Sequence, residues 1–255
     1  MNEAIAIILA RAGSKGLPGK NRAPVAGKPC VRWTIDHVQA STLLTRAGVS
    51  TDDHTIAEIA CDAGLEHWTR DPQLASDTAR VDDAARATLL KADAHKQVSD
   101  DAAVVLLYAN VPVRPQGLID RALTLFFETG CDSVQSYASV GKHHPTWTTR
   151  VDDDGRVRPW EGSTLFGGVY RRQNLAPAYI PDGGVIVVRR SCLDAPHNQP
   201  HNQPDNPHAF LGQDHRAITT EPGQVLDIDN FLDLAVADQL LRQPTHAPPP
   251  AYNTP

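Results

Sequence analysis

The stretch that most constrains this chain runs from Ile5 to Asn21. Six apolar residues, Ile5 to Ala10, read as a strand buried on both faces. They empty at once into a loop carrying Gly13, Gly16 and Gly19 among Arg11, Lys15 and Lys20. In an open α/β sheet the carboxyl end of such a strand is where ligands bind. Glycines let the main chain approach and turn its N–H groups inward, and three cations suit a triphosphate. The loop fits neither the Gly-x-x-x-x-Gly-Lys-Ser/Thr phosphate loop nor the Gly-x-Gly-x-x-Gly dinucleotide fingerprint. On these residues alone, a phosphate cradle and an ordinary solvated turn both remain open.

Downstream, strands and helices alternate. Val31 to Ala40 has the apolar spacing of a helix, and Ala47 to Ser50 reads as a strand. A helix follows over Thr55–Ala63, with Asp53 or Thr55 as its cap. Leu65 to Trp68 is a short extended segment, and Asp77 opens a helix to about Lys91 with acids at its positive end. Ala103 to Tyr108 is a second continuous apolar run, followed by a polar loop and a helix from about Gln116 to Glu128. Asp132 to Tyr137 and Gly183 to Val188 complete the strands. This order predicts an α/β, doubly wound, mainly parallel sheet. Between Lys142 and about Tyr179 no helix period survives, and Asp154-Gly155 has turn chemistry, so a β-hairpin or arm leaving the sheet is expected there. His143, His144, Trp147 and Trp160 in that segment read as packing residues.

Near the end, strand alternation would place Asp227 and Asp229 on one face, about 7 Å apart, where two carboxylates can hold a hard cation such as Mg²⁺. The competing reading is that Asp229 or Asn230 caps the helix Phe231–Leu241; the two are compatible. His197-Asn198-Gln199-Pro200 repeats as His201-Asn202-Gln203-Pro204, a low-complexity loop with no metal role expected. Residues 243–255 are proline-rich and read as a disordered tail.

The totals narrow the classes. With 255 residues the chain has room for one large α/β domain, here 1–242. A net charge of -6 argues against a nucleic-acid partner, so any anion site must be local. Cys30, Cys61, Cys131 and Cys192 lie far apart without metal spacing, as in a reduced, cytoplasmic protein. The first apolar run is too short for a signal peptide, and no stretch approaches the ~20 apolar residues of a membrane span.

Several blocks, in order, resemble one family. Ala10 to Asn21 resembles the signature loop of the acylneuraminate cytidylyltransferases, the CMP-sialic acid synthetases. Ser50 to Ala60, Arg70 to Ala79, Arg171 to Leu175 with Pro181 to Gly184, and Asp227-Ile228-Asp229 are similar to its later blocks. The resemblance implies a Rossmann-like fold in which 135–179 is a dimerisation arm reaching a partner's site, and hence a homodimer. It implies CTP and a 2-keto-3-deoxy sugar acid as substrates and Mg²⁺ as cofactor. By position, Arg11, Gly13, Ser14, Lys15 and Lys20 would surround the triphosphate, Asn21 the nucleoside and Arg70 the cytosine. Asp227 and Asp229 would hold Mg²⁺, with Arg11, Lys20 and Asp229 the catalytic set. Asn110, Arg114, Asp182 and, across the interface, Arg172 would meet the sugar acid.

Two blocks depart from the family. Tyr108-Ala109-Asn110-Val111-Pro112-Val113-Arg114 stands where sialic-acid synthetases carry Gln-Pro-Thr-Ser-Pro-Leu-Arg, and Asp182-Gly183-Gly184 replaces Asn-Gly-Ala. Val81 replaces a serine near the base. These changes spare the nucleotide half and point to a related nonulosonate, such as a legionaminic- or pseudaminic-type acid, as acceptor. A 3-deoxy-manno-octulosonate cytidylyltransferase and a non-catalytic nucleotide-binding homologue are the alternatives.

Overall fold

The computed structural model describes residues 2–194 and 206–243. The His-Asn-Gln-Pro repeat and the expected tail from 244 onward lie outside the described residues.

Eleven strands form among them. β1 (Ala4–Ala10), β4 (Arg46–Thr51), β5 (Glu66–Thr69), β6 (Ala103–Tyr108), β7 (Ser133–Ser139), β10 (Tyr179–Arg189) and β11 (His215–Thr220) make one sheet. Two small ladders stand apart: β2 (Pro24–Val25) with β3 (Lys28–Pro29), and β8 (Thr149–Val151) with β9 (Val157–Pro159). The sheet order is β11-β7-β10-β6-β1-β4-β5, and only β10 runs against its neighbours.

The apolar runs explain themselves in the packing. Ala4, Ala6, Ile8 and Ala10 of β1 face one core layer, while Ile5, Ile7 and Leu9 face the other. Val105 and Leu107 of β6 join the first layer, and Val104 and Leu106 the second. A strand buried on both faces has no solvent side, so it loses the polar alternation of an exposed strand.

Helices α1 (Cys30–Gln39), α2 (His54–Asp62) and α4 (Leu118–Thr129) cover the first face through Val31, Ile35, Ile56, Leu118, Leu123 and Phe126. Helix α3 (Val81–Asp93) and the short α5 (Arg190–Asp194) cover the second through Ala85, Leu89 and Leu193. Asp53 caps α2 by accepting from Thr55 N and Ile56 N. Helix α6 (Phe231–Arg242) packs Ala237 with Ile228, Val25 and Cys30 in a third, small cluster.

Three expectations shift. Helix α3 begins at Val81, not Asp77: Pro72–Ala75 forms a 3₁₀ turn and Asp77 is drawn away by remote cations. The departure from the sheet begins after Ser139, because β7 through Ser139 pairs with both β10 and β11. It holds the β8–β9 hairpin, with Gly155 at φ +81° in its turn. His144 is buried there, within 2.9 Å of Ala176 O. Finally, Asp227 and Asp229 lie outside any strand; only an isolated bridge joins Val113 and Leu226.

The central placement of β1 makes its interior methylenes the most sensitive to loss. Ile7→Ala, at a fully buried position, should lower the unfolding free energy by about 2–5 kcal/mol. Urea denaturation at constant m-value measures it, and a change below about 0.5 kcal/mol would contradict the packing described.

Candidate active site

The strand order reverses beside β1. From β1 the chain passes by α1 to β4, then returns past β1 by α3 to β6, with α1 and α3 on opposite faces. That is a topological switch point, and a crevice opens at the carboxyl ends of the flanking strands. Arg11 follows β1, Asp52 follows β4, Arg70 follows β5 and Asn110 follows β6.

The glycine loop is held at four points. Ala12 N donates to Asp52 Oδ1 (2.8 Å), and Asn21 Nδ2 closes the loop on Arg11 O (2.9 Å). At its far end Gly19 takes φ +69° and accepts from Arg22 N and Ala23 N. The fourth point is remote in sequence: Lys20 Nζ meets Asp229 Oδ1 at 2.7 Å. Gly16 makes this approach possible, since a Cβ there would stand 2.3 Å from Asp229 O.

The aspartate pair is fixed from beneath. Ile228 is fully buried, so its neighbours turn outward together. Its main chain exchanges hydrogen bonds with Asn110: Ile228 N to Asn110 O at 2.8 Å, and Asn110 Nδ2 to Ile228 O at 3.2 Å. Asp233 accepts from Asp229 N and Asn230 N (3.0 Å each), and Asn230 accepts from Leu232 N and Asp233 N, a reciprocal helix cap. Thus Asn230 caps while the aspartates are presented. Lys20 holds Asp229 below the usual carboxylate range, whereas burial and then the Asp229 charge push Asp227 up.

Beside the loop lies a cavity of about 220 Å³. Arg11, Lys20, Arg70 and Arg80 bring four cationic side chains to its wall, with Asn21, Tyr108 and Asn110. Arg70 is buried, donating to Ser50 Oγ (3.3 Å) and Ser50 O (3.2 Å); burial lowers its pKa to about 10, so it remains charged at neutral pH. Asn21 Oδ1 is buried with no partner among the described residues, an acceptor with capacity to spare. Asp77 occupies the cations: Arg11 Nη1 lies 2.5 Å and Lys15 Nζ 2.8 Å from its carboxylate, and these donors, Lys15 foremost, hold it below the usual range. A second cavity, of about 760 Å³, shares Tyr108 and Asn110 with the first and is also lined by Gln135, Tyr137, Asp182 and Asp227.

The chain therefore brings Arg11, Lys20, Asn21 and Arg70 to one cavity, with Asn110 shared and Asp227 and Asp182 in the next. Lys15 is 83% exposed and reaches the site only through Asp77. Gly13 and Ser14 shape the loop without lining either cavity. Arg114 is not poised for a ligand. Its guanidinium is buried and donates to Gly184 O (2.7 Å), Thr34 Oγ1 (2.8 Å), Tyr108 O (2.9 Å) and Val111 O. It shapes the loop after β6 from inside. Asp182 accepts from Ser136 Oγ and Thr220 Oγ1 (2.5 Å each) and Gly184 N (2.9 Å), bracing the bulge of β10. Arg172 is exposed on the departing segment and lines neither cavity. Asp77 and Arg80 join the site although sequence spacing made the first a helix opener; the polar run before α3 was their one signal.

Residues 5–152 match the family model described as Cytidylyltransferase. The chain belongs to that family. An N-acylneuraminate cytidylyltransferase from Streptococcus agalactiae is 35% identical over 185 residues, 72% of this chain but 42% of that one. The chain thus matches less than half the length of that relative. CMP-N,N'-diacetyllegionaminic acid synthase from Legionella pneumophila is 29% identical over 93% of this chain and 95% of its own. Among solved structures, a CMP:2-keto-3-deoxy-manno-octonic acid synthetase complexed with CTP superposes with a TM-score of 0.65 at 17% identity, over 94% of this chain and 98% of that chain. At that identity the likeness is one of fold.

The two readings of Arg114 separate experimentally. Arg114→Ala strips Gly184 O of its donor and takes one donor each from Tyr108 O and Val111 O, which share Thr34 Oγ1 at 3.2 Å, and it leaves the buried pocket of the guanidinium empty; each group left unsatisfied costs about 1–3 kcal/mol. Its unfolding free energy should fall by about 3 kcal/mol or more. Wild-type stability in chemical denaturation would return Arg114 to a role in binding.

Proposed function

We propose that this cytidylyltransferase joins CTP to a nonulosonic sugar acid, giving the CMP-sugar and pyrophosphate. The observation that carries the reading is the Lys20–Asp229 contact, which sets the cationic glycine loop against a carboxylate pair beside two cavities with a common wall. The first cavity suits the nucleotide and the second the sugar acid. One relative matched over nearly its whole length is a legionaminic acid synthase. Together with the departures at Tyr108–Arg114, this favours a legionaminic-type acceptor over N-acetylneuraminate itself.

In the proposed reaction the anomeric hydroxyl of the sugar acid attacks the α-phosphorus of CTP. The bond from that phosphorus to the bridging oxygen breaks, pyrophosphate leaves with the electron pair, and the proton of the hydroxyl passes to solvent water. Such a displacement needs alignment and charge neutralisation more than covalent help from the protein. Arg11 and Lys15 meet the phosphates in exchange for Asp77, which already shows where an anion sits between them, and Lys20 meets them from its place beside Asp229. Asn21 and Arg70 orient the nucleoside. The neighbouring carboxylates of Asp227 and Asp229, close enough for the charge of Asp229 to push Asp227 up, form an oxygen donor set that fits a hard divalent cation. These two residues would hold Mg²⁺, which when bound would neutralise charge on the phosphate oxygens. Because Lys20 keeps Asp229 anionic, Asp229 is a weak base, and its part is to hold Lys20 and the cation.

The segment 140–178 would serve as a dimerisation arm carrying Arg172 to the partner's sugar site. Its exposed Val151, Val157, Trp160 and Tyr170 support that reading. The enzyme would act in the cytoplasm, which its four free cysteines suit.

The test is pyrophosphate release with CTP, Mg²⁺ and a panel of N-acetylneuraminate, N,N'-diacetyllegionaminate and 3-deoxy-manno-octulosonate. Turnover is expected on a nonulosonate, fastest with the legionaminate. CTP binding without turnover on any acceptor would make the protein a nucleotide binder. Lys20→Ala should lose about 10²-fold or more of the rate while keeping its melting temperature; near-normal turnover would remove Lys20 from the mechanism.

A further inference from the structure

One hydrogen-bonded chain in the wall of the larger cavity has no part in the mechanism above. Ser133, Gln135 and Tyr137 alternate along β7 and share a face, and His215 of β11 pairs with Ser133 across the ladder. His215 Nδ1 lies 2.7 Å from Ser133 Oγ, and His215 Nε2 lies 2.8 Å from the Tyr137 hydroxyl. The Tyr137 and His215 rings meet edge on, 5.9 Å between centroids. Tyr137 and Gln135 line the cavity; His215 and Ser133 stand behind them.

Donor counting fixes every proton in this chain. Ser133 Oγ has one hydrogen, and it goes to Leu211 O, a carbonyl that can only accept. Ser133 Oγ must then accept from His215, so Nδ1 carries the imidazole proton. Burial lowers the His215 pKa, which favours the neutral ring. A neutral ring protonated at Nδ1 has a bare Nε2, which takes the Tyr137 proton. Tyr137 is left with lone pairs alone. Gln135 Oε1, 3.5 Å away, cannot compete for that proton against a nitrogen at 2.8 Å.

We propose that the Ser133–His215–Tyr137 chain makes Tyr137 an obligate hydrogen-bond acceptor in the larger cavity, selecting a hydroxyl or amide N–H of the bound sugar acid and excluding its carboxylate from that position. The proposal rests on the reading of this cavity as the acceptor site. Tyr137 is the specificity-determining residue; His215 and Ser133 are positioning residues that act through it. An anionic carboxylate facing the phenolic lone pairs would find no donor there, so the sugar acid enters with its acid group turned away from β7 and a neutral N–H or O–H turned toward it. The carboxylate of Asp182, on the same wall with its oxygens engaged by Ser136, Thr220 and Gly184, adds negative charge that favours the same orientation.

The test pairs a spectroscopic and a kinetic measurement on the full chain. Long-range ¹H–¹⁵N correlation of the unliganded protein should show His215 as the Nδ1-protonated tautomer; the Nε2-protonated tautomer would overturn the proposal whatever the enzyme turns over. With CTP and N,N'-diacetyllegionaminate, Tyr137→Phe should raise the acceptor KM about 3- to 10-fold, the range of one hydrogen bond, with kcat and the KM for CTP unchanged. His215→Gln, whose amide oxygen can replace Nε2 as acceptor, should keep the wild-type acceptor KM. His215→Asn, which reaches only the Ser133 side, should raise it as Tyr137→Phe does. Equal effects of the two His215 variants, or an unchanged KM in Tyr137→Phe, would reduce the chain to packing. If no acceptor in the panel is turned over, the function reading falls while the tautomer still decides this proposal.

Discussion

The site depends on one ion pair between the two ends of the chain. Lys20 and Asp229 are separated by 209 positions and meet at 2.7 Å. Neither end could form this contact alone. The glycine loop needs β1 seated between β4 and β6, and Asp229 needs Ile228 buried and Asn110 holding its main chain. The pair therefore couples the completeness of the sheet to the assembly of the site. It is partly exposed, with side-chain accessibilities of 16% and 65%, so its contribution to stability is small. Its importance is positional: it places a cation and a carboxylate side by side where a phosphate and a divalent ion would each find an opposite charge.

The sheet explains why cations can collect there without the chain being basic. The net charge is -6, yet four cationic side chains reach one cavity of about 220 Å³. Parallel strands deliver their following loops to a common edge, so Arg11 and Arg70 arrive from different strands while Lys20 and Arg80 arrive from the loops beside them. Without a ligand this arrangement would repel itself. Asp77 relieves the repulsion by pairing with both Arg11 and Lys15, and Asp229 does the same for Lys20.

Much of this was legible in the sequence because the physics is local. The runs Ile5–Ala10 and Ala103–Tyr108 are apolar without alternation, as both faces are buried, and that alone predicts a parallel sheet with ligands at the strand ends. Asp227-Ile228-Asp229 was legible too, though for a different reason than strand pairing: one buried isoleucine is enough to turn its two neighbours the same way. What could not be read depends on contacts across the fold. An acid before α3 looks like a helix opener; only Arg11 and Lys15, over sixty positions earlier, make Asp77 an internal counter-ion. Arg114 in a polar loop looks like a ligand-binding cation, until Gly184 O, seventy positions on, is found at its Nε. Tyr137 gains its polarity from a histidine on a neighbouring strand, which no spacing rule encodes. Arg172 lies on the departing segment and lines neither cavity of its own chain.

If the glycine loop and the aspartate pair act as one unit, the coupling runs through Lys20 and Asp229. A double-mutant cycle on kcat/KM for pyrophosphate release, using Lys20→Ala, Asp229→Asn and the combined variant, tests it most directly. Strong non-additivity is expected, with the combined variant no slower than the worse single one to within about threefold, since either change dismantles the same contact. Fully multiplicative losses would show two groups acting independently, and would contradict it.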